Sequence, residues 1–203
     1  MCDVGTDHGY LPISLLMRDR IRRAVAADIR PGPLASARRH AAEAGLEDRI
    51  RFELADGLDF PGAEDCDTVV CAGMGGETIA GILSRAPWTK EGARLILQPQ
   101  SKLDELCFWL RANGYAILDA ALAAEGERLY AALLVRGGYK GFAWAEDALA
   151  RSADPLLGRW LQDRLGRLER AIEGMERGAD ASAEIAAAQE TAARLRAYEG
   201  GKT

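Results

Sequence analysis

The residues best placed to do chemistry stand at the start of the chain, in Met1-Cys2-Asp3-Val4-Gly5-Thr6-Asp7-His8-Gly9-Tyr10-Leu11-Pro12. The stretch reads as a short apolar strand that breaks at Gly5 and restarts as a helix near Pro12. Proline is tolerated in a first helical turn, where its missing N–H would have no partner. A glycine-marked strand-to-helix turn is expected to leave backbone N–H groups and a positive helix end facing one crevice. Such a crevice suits a ligand that carries a carboxylate or phosphates. The plainer reading of the same turn is a tight connection with no ligand.

Three more marks of this kind close predicted strands: Asp28, Asp56-Gly57 and Gly73-Met74-Gly75-Gly76. In an open α/β sheet, ligands sit beyond the carboxyl ends of the strands. Asp28 follows Gly5 at about the separation of an acid that accepts hydrogen bonds from ribose hydroxyls; otherwise it is a helix-start carboxylate before Pro31. Asp56 could accept from an adenine amino group while Gly57 lets the ring approach, or the pair is a simple turn.

The elements that must position these residues follow from the apolar pattern. Helices are expected over Leu11 to Met17, Pro31 to Ala44, Glu77 to Arg85 and from a Ser101 cap through Leu110. Strands are expected over Ala24 to Ala27, Ile50 to Ala55, Asp67 to Ala72 and Arg94 to Leu97. Tyr115 to Leu122 and Leu129 to Val135 read as two strands with no helix between them. Alternating strands and helices imply a parallel sheet, and the closing pair implies an antiparallel finish. From Pro155 onward the pattern is helical: Leu161, Leu165, Leu168, Ile172 and Met175 form one stripe, and Ile185, Ala188, Ala192, Leu195 and Tyr198 a second. With a break at Gly178-Ala179-Asp180, they predict an antiparallel helical hairpin. The expected division is residues 1–138 as an α/β domain and 139–203 as a helical one.

Composition sets the outer limits. A chain of 203 residues that is 48% hydrophobic and 28% charged fits an ordinary globular protein. No apolar run approaches the roughly 20 residues that span a bilayer, and the opening reads as strand and turn rather than a basic leader. The expectation is that a helix covering the first strand is missing ahead of Met1. Cys2, Cys66, Cys71 and Cys107 lack CxxC spacing and read as reduced, buried thiols of a cytoplasmic protein. With only His8 and His40 present, no metal is expected. Net charge is −5, yet seven arginines against two aspartates fall between Arg18 and Arg39. This run, Arg22 and Arg23 included, could form a basic face that grips phosphates, or simply a solvated surface. Residues 151–203 balance nine basic against nine acidic side chains, which does not mark a polyanion binder.

The segments Asp3-Val4-Gly5-Thr6-Asp7-His8-Gly9-Tyr10-Leu11-Pro12, Ala72-Gly73-Met74-Gly75-Gly76 and Leu97-Gln98-Pro99-Gln100 resemble the bacterial tRNA (adenine(22)-N1)-methyltransferases. The resemblance covers roughly residues 1–137, with the tail matching in kind. It implies a class I methyltransferase Rossmann-like sheet, parallel with an antiparallel closing strand, followed by a coiled-coil-like helical domain. It implies S-adenosyl-L-methionine (AdoMet) as methyl donor and S-adenosylhomocysteine as product. AdoMet would be held by Gly5, Thr6, Asp7, Asp28, Ile29, Asp56, Gly57, Ala72, Gly73, Met74 and Gly75. Asp7, His8 and Tyr10 would lie near the reacting methyl. Tyr10 or Tyr130 could stack on the target base, and Gln98 could read the adenine edge or merely cap the sheet edge before Pro99. The partner would be tRNA, taken up by a monomer or by a weak dimer formed through the C-terminal helices. The same fold acting on another RNA or a small molecule, or binding AdoMet without turnover, is the alternative.

Overall fold

In a computed structural model, residues 1–176 and 181–199 are described; the predicted break at Gly178-Ala179-Asp180 lies outside them. A seven-stranded sheet has the order β3-β2-β1-β4-β5-β7-β6, formed by β1 (Cys2–Val4), β2 (Ala24–Asp28), β3 (Ile50–Leu54), β4 (Thr68–Gly75), β5 (Arg94–Ser101), β6 (Tyr115–Glu125) and β7 (Arg128–Gly137). The first five strands pair in parallel, and β7 runs antiparallel between β5 and β6. The strand order reverses between β1 and β4, which opens a crevice at their carboxyl ends.

The helices α1 (Tyr10–Met17) and α2 (Pro31–Glu43) cover one face of the sheet over a small core of Ile13, Leu16, Ala26, Ala41 and Ile50. The helices α3 (Gly76–Arg85), α4 (Leu103–Ala112) and α5 (Ala145–Arg151) contribute to the larger core that includes Cys71, Ile79, Leu95, Leu97, Leu106 and Leu133. All four cysteines are free and buried. Among the described residues no helix is long and apolar enough to cross a membrane.

Three local expectations change. Strands β4 and β5 run further than expected because they stay paired beyond Ala72↔Gln98, through Met74↔Pro99 to Gly75↔Ser101. The glycine run is therefore irregular strand, not turn. Ser101 ends that strand, so α4 starts without a side-chain cap, after Lys102 at φ 56°. Helix α5 was not expected; its start is fixed when the Trp144 N–H donates to the Asp147 carboxylate at 3.1 Å.

The tail forms the two expected helices, α6 (Leu157–Glu176) and α7 (Ser182–Glu199), packed on each other. Trp160, Leu161, Leu165, Ala192 and Leu195 bury their side chains in the same core as Leu106 and Leu149. A set of charges locks this root. Asp104 at the start of α4 accepts from both Arg164 of α6 and Arg194 of α7. Glu146 of α5, 1% exposed, accepts from Arg194 Nε at 2.6 Å and lies 3.8 Å from Arg164 Nη1. Arg194 also sits 3.6 Å from the centre of the Trp144 ring, a cation–π contact in a half-buried setting.

Candidate active site

The loop from Gly5 to Gly9 leaves β1 beside the crevice and turns into α1. Its backbone is not free as expected: the N–H groups of Gly5 and Thr6 both donate to the Ala27 carbonyl, at 2.9 and 3.0 Å. That pins the loop to the end of β2. The next amide, Asp7 N–H, donates to Asp28 Oδ2 at 3.1 Å, and Arg30 N–H donates to Asp28 Oδ1 at 2.9 Å. A carboxylate oxygen has two lone pairs, so each Asp28 oxygen keeps one to offer. Beneath the loop, Asp3 is 5% exposed and accepts from the Thr6 hydroxyl at 2.8 Å. Burial lifts the Asp3 carboxyl to about 6, with the Thr6 hydrogen bond opposing the rise and the Asp28 charge adding to it.

Above the loop stand Asp7, His8 and Tyr10. Asp7 adopts φ 50°, a left-handed conformation that aspartate and asparagine tolerate better than most residues. His8 Nε2 is 3.6 Å from Asp7 Oδ2, and His8 Nδ1 is buried with no hydrogen-bond partner among the described residues. Tyr10 is 65% exposed, and its ring lies 5.5 Å from that of His8 and 5.2 Å from that of His40. Gly9 fits here because its φ is +72° and a Cβ would meet that of Ala37 at 3.0 Å, so α1 can start tight against α2.

Across the crevice, Met74 Cε would be 3.1 Å from a Cβ on Gly5, which brings the glycine run of β4 up to the loop after β1. Gln98 holds that wall: its Oε1 accepts from the Gly73 N–H at 2.9 Å. Of the two expected roles for Gln98, the geometry displays the one that braces the sheet edge. Ile29, 63% exposed, follows Asp28 at the same edge.

Other expected residues sit differently. Asp56 is at the strand-end edge but forms an exposed ion pair with Arg85 at 3.1 Å. A Cβ on Gly57 would strike Ile82 of α3 at 2.8 Å, so helix packing as well as a positive φ accounts for this glycine. The arginine run does not make one face. Arg18, Arg20, Arg22 and Arg23 lie between α1 and β2 at the amino edge of the sheet, Arg30 lies at the carboxyl edge, and Arg38 and Arg39 project from α2. Arg22 and Arg23 are thus not brought to the crevice: one strand length, roughly 16 Å for five residues, separates the two edges. Tyr130 is at the carboxyl edge but two strands beyond β4, in a cleft of about 770 Å³ between β7 and α6. Sequence reasoning included Asp3 in the opening motif and Thr6 among the cofactor contacts but missed the buried hydrogen bond that joins them, and it missed the contact of His40 with the segment. Asp3, flanked by Cys2 and Val4 in a three-residue apolar strand, carried a signal; His40 carried none, because its contact spans 32 residues.

The site belongs to a recognisable group. Residues 1–133 match the family described as a methyltransferase domain. The chain is 34% identical over 162 residues to the tRNA (adenine(22)-N(1))-methyltransferase of Bacillus subtilis (strain 168), covering 79% of this chain and 67% of that protein. The chain belongs to the tRNA (adenine(22)-N1)-methyltransferase family. Solved structures agree over nearly the whole length. Streptococcus pneumoniae Sp1610, a candidate tRNA (m1A22) methyltransferase in complex with AdoMet, is 32% identical with a TM-score of 0.76, covering 94% of this chain and 91% of that one. The B. subtilis m1A22 tRNA methyltransferase is 26% identical with a TM-score of 0.83, covering 98% and 91%. In this methyltransferase family member the fold therefore extends through the helical hairpin.

Proposed function

We propose that this protein transfers the methyl group of AdoMet to N1 of adenine 22 in the D-arm of tRNA. The observation that carries the reading is the Asp7–Tyr10 segment, held by the buried Asp28 through the Asp7 backbone and presenting three reactive side chains beside the crevice. The same crevice fits AdoMet. Asp28 offers two lone pairs to a ribose diol, and Ile29 offers an apolar edge to the adenine. Gly5, Thr6 and Ala72–Gly75 stand on the two sides of the crevice, with Met74 reaching toward Gly5. Asp3 and Asp28 give it an acidic character suited to a sulfonium and an ammonium. Asp56 pairs with Arg85 through Oδ1, which leaves Oδ2 to accept from the adenine amino group.

AdoMet supplies an electrophilic methyl group on sulfur. The adenine N1 lone pair forms the new N–C bond as the S–C bond breaks, so the base gains the positive charge that sulfur loses. Asp7 stabilises that charge on the base, and His8 beside it is the group able to take a proton. Tyr10, largely exposed, stacks on the base once it has left the helix, a displacement that costs a few kcal/mol. The cleft between β7 and α6, with Lys102, Arg128, Tyr130, Arg167 and Arg170 on its walls, receives the RNA backbone beside the target. On this reading residues 1–138 carry the reaction, 139–203 help to orient the tRNA, and the enzyme works in the cytoplasm. Arg22 and Arg23, on the far edge, contact only a distant part of the tRNA.

The test is transfer of label from tritiated AdoMet to unmodified tRNA, followed by nucleoside digestion. The expected product is N1-methyladenosine, lost when adenine 22 is replaced by guanine. Label in another nucleoside, or none with AdoMet bound, contradicts the proposal.

A further inference from the structure

We infer that His40, on α2 and outside the strand-end site, is the positioning residue that holds His8 and Tyr10 in their reactive arrangement; the inference rests on the methyl-transfer reading above. Its Nδ1 lies 3.0 Å from the His8 carbonyl oxygen. A carbonyl only accepts, so Nδ1 carries the proton and donates, which fixes the tautomer of His40. The His40 ring lies 5.2 Å from that of Tyr10 at 17° between planes and 5.7 Å from that of His8 at 45°. One half-buried side chain therefore contacts the segment twice: through the backbone of His8 and through the ring of Tyr10.

Neither contact is made by the loop itself. The backbone hydrogen bonds of Gly5, Thr6 and Asp7 hold the first half of the turn on Ala27 and Asp28. The second half is held by the Gly9 N–H, which donates back to Thr6, and by His40. The His8 side chain touches other members of the segment and His40, and its buried Nδ1 has no hydrogen-bond partner among the described residues. His40 is joined to α2, which packs on β2 and β3, so the reactive segment has a second anchor to the rigid sheet besides Asp28. A shift of about 1 Å in reacting groups can cost a hundredfold in rate, so such a brace acts on turnover rather than on binding.

The two contacts can be separated. Asparagine places its amide nitrogen near the position of a histidine Nδ1 and keeps the donor without the ring, whereas phenylalanine keeps the ring without the donor. His40→Phe is expected to lower kcat about tenfold, the scale of one lost hydrogen bond at a site where alignment sets the rate. The KM for tRNA and the AdoMet dissociation constant should stay within twofold. His40→Asn should recover at least half of the lost rate. In the wild type, nitrogen-15 spectra of the ring should show protonated Nδ1 and bare Nε2, a readout that needs no turnover and stands even if tRNA is not the substrate. A wild-type rate in His40→Phe, no recovery in His40→Asn, a rate loss matched by a rise in KM, or protonated Nε2 with bare Nδ1 would each overturn the assignment.

Discussion

The loop after β1 and the root of the helical hairpin both collect charged side chains, and they use them in opposite ways. At the root, Asp104 and Glu146 meet Arg164 and Arg194; acid and base are matched one for one and shielded by Trp144 and Trp160. At the loop, Asp28 accepts from two backbone amides, and among the described residues no side-chain cation approaches closer than the exposed Arg30, with Nε at 3.8 Å. Asp3 is buried with only a hydroxyl for company, and His8 Nδ1 has no partner among the described residues. Charges matched to one another hold elements together. Charges met mainly by backbone and hydroxyl dipoles keep capacity for a cationic ligand and for reaction. The contrast is the physical basis for reading one cluster as architecture and the other as site.

Breaking the root should give the largest change in stability. Glu146→Ala leaves two arginines short of a buried partner, and removing one member of a buried ion pair costs about 3–5 kcal/mol. Urea unfolding should show that loss, with AdoMet affinity little altered in the fraction that remains folded. Breaking the loop should do the reverse. Asp28→Asn turns one acceptor into a donor facing a backbone N–H, so both the loop and the ribose contacts suffer. AdoMet affinity by calorimetry should fall about 10–100-fold, the scale of one or two charged hydrogen bonds, with a smaller loss in unfolding free energy than Glu146→Ala.

Burial raises Asp3 to about 6 in the folded protein, above its ordinary 3.8. Without ligand, the folded state gains from a protonated Asp3, and that gain is lost as pH rises through about 6. The bound sulfonium and ammonium favour the ionised form instead, so AdoMet affinity should weaken as pH falls, by up to about tenfold from pH 7 to pH 5. Asp3→Asn should flatten this dependence. An unchanged pH profile in that variant would show that Asp3 does not sense the cofactor.

Much of the fold was legible because the inner parallel strands β1 and β2 read as apolar runs closed by Gly5 and Asp28, and the edge strand β3 alternates Ile50, Phe52 and Leu54. The hairpin stripes were legible for the same reason at helical spacing. What was not legible depends on partners distant in sequence. The strand character of Gly73–Gly75 comes from pairing with Pro99–Ser101, and Gly57 answers to Ile82. Arg22 and Arg23 read as part of one basic face because they share a short run of sequence with Arg30, Arg38 and Arg39, but a strand carries the chain from one edge of the sheet to the other. At the site itself, the Asp7–His8–Tyr10 grouping was legible from one contiguous motif, whereas its supports, Asp28 to Asp7 and His40 to His8, span 21 and 32 residues.

On the proposed mechanism the Asp7 carboxylate acts on the reaction while its backbone serves the cofactor cradle. Asparagine tolerates the left-handed conformation of Asp7 and keeps its N–H for Asp28, so Asp7→Asn removes the charge and little else. Single-turnover methyl transfer to tRNA, measured beside the AdoMet dissociation constant, separates the two. The expected result is a rate about 100-fold lower, within the range for one charge-stabilising or proton-accepting group, with AdoMet affinity within threefold of wild type. Transfer at the wild-type rate would contradict the account.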